Sequence, residues 1–187
     1  MTALPNESEL IAHLKTEGKK EMAFHILVQT YRERLYWHIR KLVMNHDDAD
    51  DILQNVFIKV WKNVENFRED SSIFTWLFRI ATNESLTFLQ KKRKYSVFSA
   101  DEITDYLVES FEADDYFDGD EIQRRLQRAV LHLPEKQRIV FNMKYFDEMK
   151  YEEIAEIVET SVGALKASYH HAVKKVEEFM KKENNGL

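Results

Sequence analysis

The chain has 187 residues with a net charge of −6, 44% hydrophobic and 32% charged residues, four glycines, two prolines and no cysteine. That balance excludes a disordered chain, and no apolar run approaches the roughly 18 residues of a membrane-spanning helix. The missing thiols exclude a disulfide framework and a thiolate metal site, and the first residues, MTALPNESELIAHLK, have none of the basic-then-apolar order of a signal peptide, so a cytoplasmic protein is expected.

The acidity is not spread evenly. Residues 1–94 carry 15 Lys and Arg against 13 Asp and Glu, net +2; residues 95–123 carry 10 acids and no base; residues 124–187 carry 12 bases and 10 acids, again net +2. Two slightly basic modules joined by a polyanionic segment follow from this count. The expected organisation is a first domain over 1–94, an acidic linker over 95–120 and a second domain over 121–187.

Phe24, Leu27, Tyr31, Leu35, Ile39 and Leu42 recur at three- and four-residue steps and predict a helix from about Lys19 to Met44. Asn45 and His46 break it, and Asp47 or Asp48 is positioned to cap the next helix, whose stripe is Ala49, Ile52, Val56, Val60 and Val64. Four aspartates crowd that helix start, where the helix dipole favours anions; they serve either as caps or as a partner-binding surface. A loop over 66–72 precedes a third helix, about Ile73 to Lys92. In the linker, Ile103, Tyr106, Leu107 and Phe111 have only weak helical spacing. As coil its 29 residues (95–123) span roughly 30 Å, enough to hold the modules apart.

The second module opens with a helix carrying Ile122, Leu126, Ala129, Val130 and Leu133 and ending at Pro134. A helix over 136–146 follows, with Ile139, Val140, Met143 and Phe146 inward. Next comes YEEIAEIV, a tight turn, and a helix capped by Ser161 that bears Lys166, His170, His171 and Lys174. This is the sequence form of a helix-turn-helix, in which the second helix enters the major groove. No strand alternation persists anywhere, so the fold class is all-α with two small helical domains.

Upstream, Phe67, Phe74, Trp76 and Phe78 surround polar Arg68, Ser71, Ser72 and Thr75, with Arg79 and the run Lys91, Lys92, Arg93, Lys94 beyond. Trp76 and Phe78 cannot both join Phe74 and Leu77 in a core, so exposed aromatics flanked by cations are expected, the pattern of a single-strand stacking platform. Core packing is the alternative for Phe74. His170 and His171 point about 100° apart on a helix and cannot share a metal. No phosphate loop, HExxH, GxSxG or spaced acid pair appears; no metal, cofactor or catalytic chemistry is expected.

DADDILQNVFIKVWKN, FREDSSIFTWLFRIATNESLTFLQKKRK and LPEKQRIVFNMKYFDEMKYEEIAEIVETSVGALKASYHHAVKKV, in that order, resemble regions 2.2, 2.3–2.4 and 4 of the sigma-70 family of RNA polymerase sigma factors, specifically its extracytoplasmic-function (ECF) group. The resemblance implies that Asp48, Asp51, Gln54, Asn55 and Lys59 dock the polymerase β′ clamp helices, and that the second domain meets the β flap. It implies that the loop from Phe67 to Trp76, including Arg68, Ser71, Ser72 and Thr75, captures a flipped base of the −10 element, while Arg79, Asn83 and Lys91, Lys92, Arg93 and Lys94 hold adjacent backbone. Ser161, Lys166, Ser168, His170, His171 and Lys174 would lie on the −35 element, with Arg138 and Lys144 on its phosphates. The linker would act as a polyanion mimic in polymerase channels, and an anti-sigma factor would be a further partner.

Two departures stand out. Many relatives carry SxGTVKSRLHRAR where this chain has SVGALKASYHHAV, so bidentate Arg–guanine readout is largely absent. Lys150 also stands where Ser or Thr usually caps the helix that begins YEEIA. The alternatives to a sigma factor are a helix-turn-helix regulator that binds duplex DNA without polymerase, and a helical adaptor that binds protein only.

Overall fold

The computed structural model describes residues 6–95, 100–114, 117 and 119–185. Among these there are nine α-helices and no strand: α1 (Glu7–Leu14), α2 (Lys20–Val43), α3 (His46–Asn63), α4 (Ile73–Tyr95), α5 (Ala100–Glu112), α6 (Glu121–Leu131), α7 (Glu135–Phe141), α8 (Tyr151–Val158) and α9 (Val162–Asn185).

Helices α2, α3 and α4 form the first bundle. The apolar stripes read from the sequence face one another: Leu35, Ile39 and Leu42 of α2 meet Ile52, Val56 and Val60 of α3 and Leu77, Phe78 and Ala81 of α4, all buried. Met44 ends α2 in the left-handed region (φ 59°). The cap of α3 is Asn45, whose side chain accepts from the Asp48 N–H at 2.9 Å, not Asp47 or Asp48. Asparagine tolerates the sharp reversal and caps as well as aspartate does, so the acids are left for other contacts.

Helix α1 is an element the periodicity reading did not separate. Leu10, Ile11 and Leu14 bury its inner face, each contributing roughly 1.5–3 kcal/mol of burial against chain entropy. Its Glu7 carboxylate accepts from the Ile73 N–H at 2.8 Å. Together with the Lys15–Glu69 ion pair at 2.7 Å, that contact fastens both ends of the 67–72 loop.

The linker departs from the coil expectation. It contains α5, which buries Ile103, Leu107 and Phe111. Three of its acids are engaged: Glu112 with Arg128, Asp114 with Arg40, and Asp120 as N-cap of α6, accepting from the Gln123 N–H at 2.8 Å. Asp115 and Asp118 lie outside the described residues.

Helices α6 to α9 form the second bundle, with a single π-helical turn (Asn142–Phe146) following α7. Ala129, Val130, Leu133, Phe141, Ala172 and Val176 make its private core. Ile122, expected inward, is 66% exposed because it sits on the first turn of α6, outside that cluster. Leu131, Ile139, Val140, Met143, Ile154, Ile157 and Leu165 belong instead to one continuous core with the first bundle. The modules are packed together, not held apart, because the second bundle has more apolar surface than its own interior covers.

Candidate nucleic-acid interface

The helix-turn-helix is built as its sequence implies. Glu153 accepts from the Lys150 N–H at 2.7 Å, the half of a capping box that its own carboxylate supplies, while the Lys150 ammonium cannot accept as a Ser or Thr hydroxyl would. Glu159 takes a left-handed conformation (φ 52°) at the end of α8, and the Ser161 hydroxyl accepts from the Ala164 N–H at 3.3 Å to start α9. Leu165, Ala172 and Val176 are buried, with Tyr169 and Val173 half-buried. Ser161, Lys166, His170, His171 and Lys174 are exposed, while Ser168 is half-buried beside α4. Gly163 has open space where a Cβ would stand, so the first turn presents bare backbone outward.

Two residues assigned to phosphates are placed otherwise. Arg138 is 3% exposed, and burial pushes its guanidinium below its ordinary range, with Glu135 opposing. It sits where α7 meets the end of α4, so in this arrangement it faces protein. Lys144 is half-buried; its ammonium donates to the Met149 carbonyl at 2.9 Å and lies 5.0 Å from the Tyr151 ring centroid. Both positions look like ordinary exposed cations in sequence; Lys144 is covered within its own module by Met149 and Tyr151, while Arg138 lines a pocket with Leu89, Gln90 and Arg93 of α4.

The aromatic run resolves differently from its expectation. Phe67 and Phe78 are buried and Thr75 is 2% exposed. Trp76 is half-buried against Phe67, ring centroids 4.9 Å apart, and Phe74 half-buried against Phe78 at 4.3 Å. Phe78 finds room because α4 is gripped on two sides, by α2 and by α8; a helix covered twice buries aromatics that a one-sided stripe would leave outside. The expected open stacking platform is therefore absent from this arrangement among the described residues, and what remains open is polar. Arg68 and Ser72 are exposed and Ser71 half-buried, with the Ser72 hydroxyl capping α4 from the Thr75 N–H at 3.1 Å. Asn83, Lys91, Arg93 and Lys94 are exposed. Arg79 is not free: its Nε and one terminal nitrogen donate to the Glu156 carbonyl of α8 at 3.0 and 2.7 Å.

On α3, Asp51, Gln54, Asn55 and Lys59 share one exposed face, with Lys59 paired to Glu84. Ile58, half exposed among them, was missed by stripe counting because it lies on the polar side. Asp48 is engaged: Lys92 reaches it at 3.1 Å and the Tyr106 hydroxyl of α5 at 3.0 Å. Burial works against the charge of Lys92, but its bonds to the Tyr106 hydroxyl and to Asp48 outweigh this and raise the ammonium above its ordinary range. Lys92 is thus half-buried and engaged with the protein, unlike its exposed neighbours in the basic run.

The family model described as "Sigma-70 region 2" matches residues 27–95, and "Sigma-70, region 4" matches residues 123–176. The ECF RNA polymerase sigma factor SigW of Bacillus subtilis is 31% identical over 156 residues, covering 79% of this chain and 83% of that protein. This chain belongs to the sigma-70 family. Within it the chain is a sigma factor of the ECF group. RNA polymerase sigma-H factor of Pseudomonas aeruginosa is similar over 96% of both chains at 26% identity. Among solved structures, CnrH in complex with the cytosolic domain of CnrY has the same fold, with a TM-score of 0.68, 21% identity and coverage of 94% of this chain and 97% of that one. The sigma factor RpoE in complex with the anti-sigma factor NepR from Bartonella quintana gives 0.65 at 21% identity, covering 84% and 96%.

Proposed function

We propose that this sigma factor joins core RNA polymerase through the exposed α3 face, captures a −10 base in the 67–76 loop and reads the −35 element with α9. It acts by binding, in the cytoplasm, and performs no chemistry. The observation that carries the reading is the coexistence, in one chain, of an outward-facing helix-turn-helix and a capped polar loop on a second helical bundle. A duplex regulator has no use for the second feature, and a protein adaptor has no use for either. Asp51, Gln54, Asn55 and Lys59, with Ile58 at their centre, offer an apolar spot rimmed by polar groups, the composition of a protein interface. The two structural neighbours were solved with anti-sigma partners, and we assign this chain the same kind of antagonist.

Run-off transcription with core polymerase tests the assignment. Replacing Arg68 and Ser72 with alanine should impair initiation on duplex promoters more than on templates already mismatched across the −10 element, because unstacking a base costs a few kcal/mol that only the duplex template demands. Equal losses on both templates would remove the loop from base capture.

A further inference from the structure

Where the end of α4 meets the turn between α6 and α7, the two modules and α5 enclose a cavity of about 380 Å³. That volume lies within the range of small-molecule sites, roughly 300–1,000 Å³. Arg138 lines the cavity from the second module and Arg93 from the first. The modules are held in this arrangement by bonds that lie elsewhere. His38 Nδ1 is 2.7 Å from Oδ2 of Asp147, Arg79 engages the Glu156 carbonyl, and the Asn142 amide donates to the Lys41 carbonyl at 3.2 Å. Neither Arg138 nor Arg93 takes part in them.

Arg138 is the side chain that the fold leaves unaccounted for. It is 3% exposed, and its Nε has no hydrogen-bond partner among the described residues. Burial pushes the guanidinium below its ordinary range, and the charge of Glu135 does not make up the difference. Arginine nevertheless keeps its charge in proteins, and a charge withdrawn from water is disfavoured unless an anion or a set of acceptors meets it. The cavity that Arg138 lines is where such an anion can sit. Exposed Arg93 brings a second guanidinium to the same space, with exposed Lys94 next to it in the chain. Glu135 is the one acid among the lining residues. Two guanidiniums from different modules select the kind of anion. A carboxylate has two oxygens and is filled by one arginine fork; a phosphoryl group presents three, enough to engage two arginines at once. Leu89, Ile103 and Leu133, all buried, give the rest of the wall an apolar character suited to an organic part.

We infer that this cavity is a site for a small organic phosphate, gripped by Arg138 and Arg93 and so bridging the two modules. The site stands on binding alone and does not rest on the sigma-factor reading above. A bound phosphate supplies the counter-charge that Arg138 lacks, and Glu135 works against it. Ligand and packed arrangement favour each other, since separating the modules takes the two arginines apart.

Inorganic pyrophosphate is the probe, titrated calorimetrically into the full chain at fixed ionic strength so that general screening stays constant. The parent should give a saturable heat. Arg93→Gln, a change at an exposed side chain, should weaken binding about tenfold, the scale of one charged hydrogen bond. Glu135→Gln, also at an exposed side chain, should tighten it several-fold. Arg138→Met should abolish it; circular dichroism checks that this buried variant folds, and the two exposed variants decide the question if it does not. Binding indifferent to both Arg93→Gln and Glu135→Gln, or no saturable heat at millimolar pyrophosphate, overturns the site. The same chemistry exists in a DNA backbone, so a mixed-sequence duplex is titrated in parallel. A duplex whose binding shows this dependence on Arg93 and Glu135, while pyrophosphate gives no saturable heat, assigns the arginines to nucleic-acid phosphate and likewise overturns the small-ligand site.

Discussion

Helices α4 and α9 are both read as DNA-facing, yet the structure treats them oppositely. Around Lys166, His170, His171 and Lys174, α9 is exposed, and its apolar stripe is satisfied by α6, α7 and α8. Helix α4 is gripped by α2 and α3 on one side and by α8 on the other, and its Arg79 is occupied. One surface is presented and the other is covered by the module that bears the first. On the proposed assignment, the surface of α9 is open to DNA in this arrangement and that of α4 is not.

The sharpest way to break this contrast is to damage the piece common to both helices. Leu165 of α9 is 1% exposed and belongs to the core that runs between the modules. Leu165→Ala should cost about 2–5 kcal/mol in denaturant unfolding of the second module. It should weaken −35 duplex binding while making α4 more accessible to a −10 strand; parallel losses at both elements would mean that the second module does not cover α4. A smaller effect is expected at the outer face. His171→Ala should relax preference at one base pair by about 1–3 kcal/mol in a binding-site selection, within a −35 motif richer in A and T than that of arginine-bearing relatives. A G·C-rich motif, or one indifferent to His171, contradicts that readout. Ser161→Ala removes the hydroxyl that starts α9 and should lower thermal stability by about 1 kcal/mol, with no change in the −10 strand. Least of all, Lys174→Ala should weaken all sequences alike and flatten the salt dependence by about one contact. A sequence-selective loss would move Lys174 from phosphate to base.

The periodic helices were legible because their signal is local. Leu35, Ile39 and Leu42, or Leu165, Ala172 and Val176, repeat at helical steps whatever they pack against. Ser161 was legible as a cap for the same reason, since the N–H that donates to it lies three residues away. What stayed hidden was fixed over distance. His38 and Asp147 are 109 residues apart, and neither neighbourhood predicts the other. The one available signal was a histidine falling on the apolar stripe between Leu35 and Ile39, a polar group placed where only a partnered one is stable. Helix α5 escaped because its burial depends on α4 and α6, which the sequence does not place beside it. Phe78 and Arg138 were misplaced because both are covered by the other module.

Burial of Arg138 has a further effect. Its Nε has no hydrogen-bond partner among the described residues, and neither does Oδ1 of neighbouring Asn142. A guanidinium kept from water without full compensation works against the state that encloses it, by several kcal/mol in the least favourable case. At this residue, packing the two modules together carries a cost as well as a gain. A DNA phosphate that took Arg138 would bind only the extended form. Its differential affinity would draw the population across with no separate trigger, in the way any ligand shifts a two-state equilibrium. On this account the promoter is itself an effector of the protein that reads it.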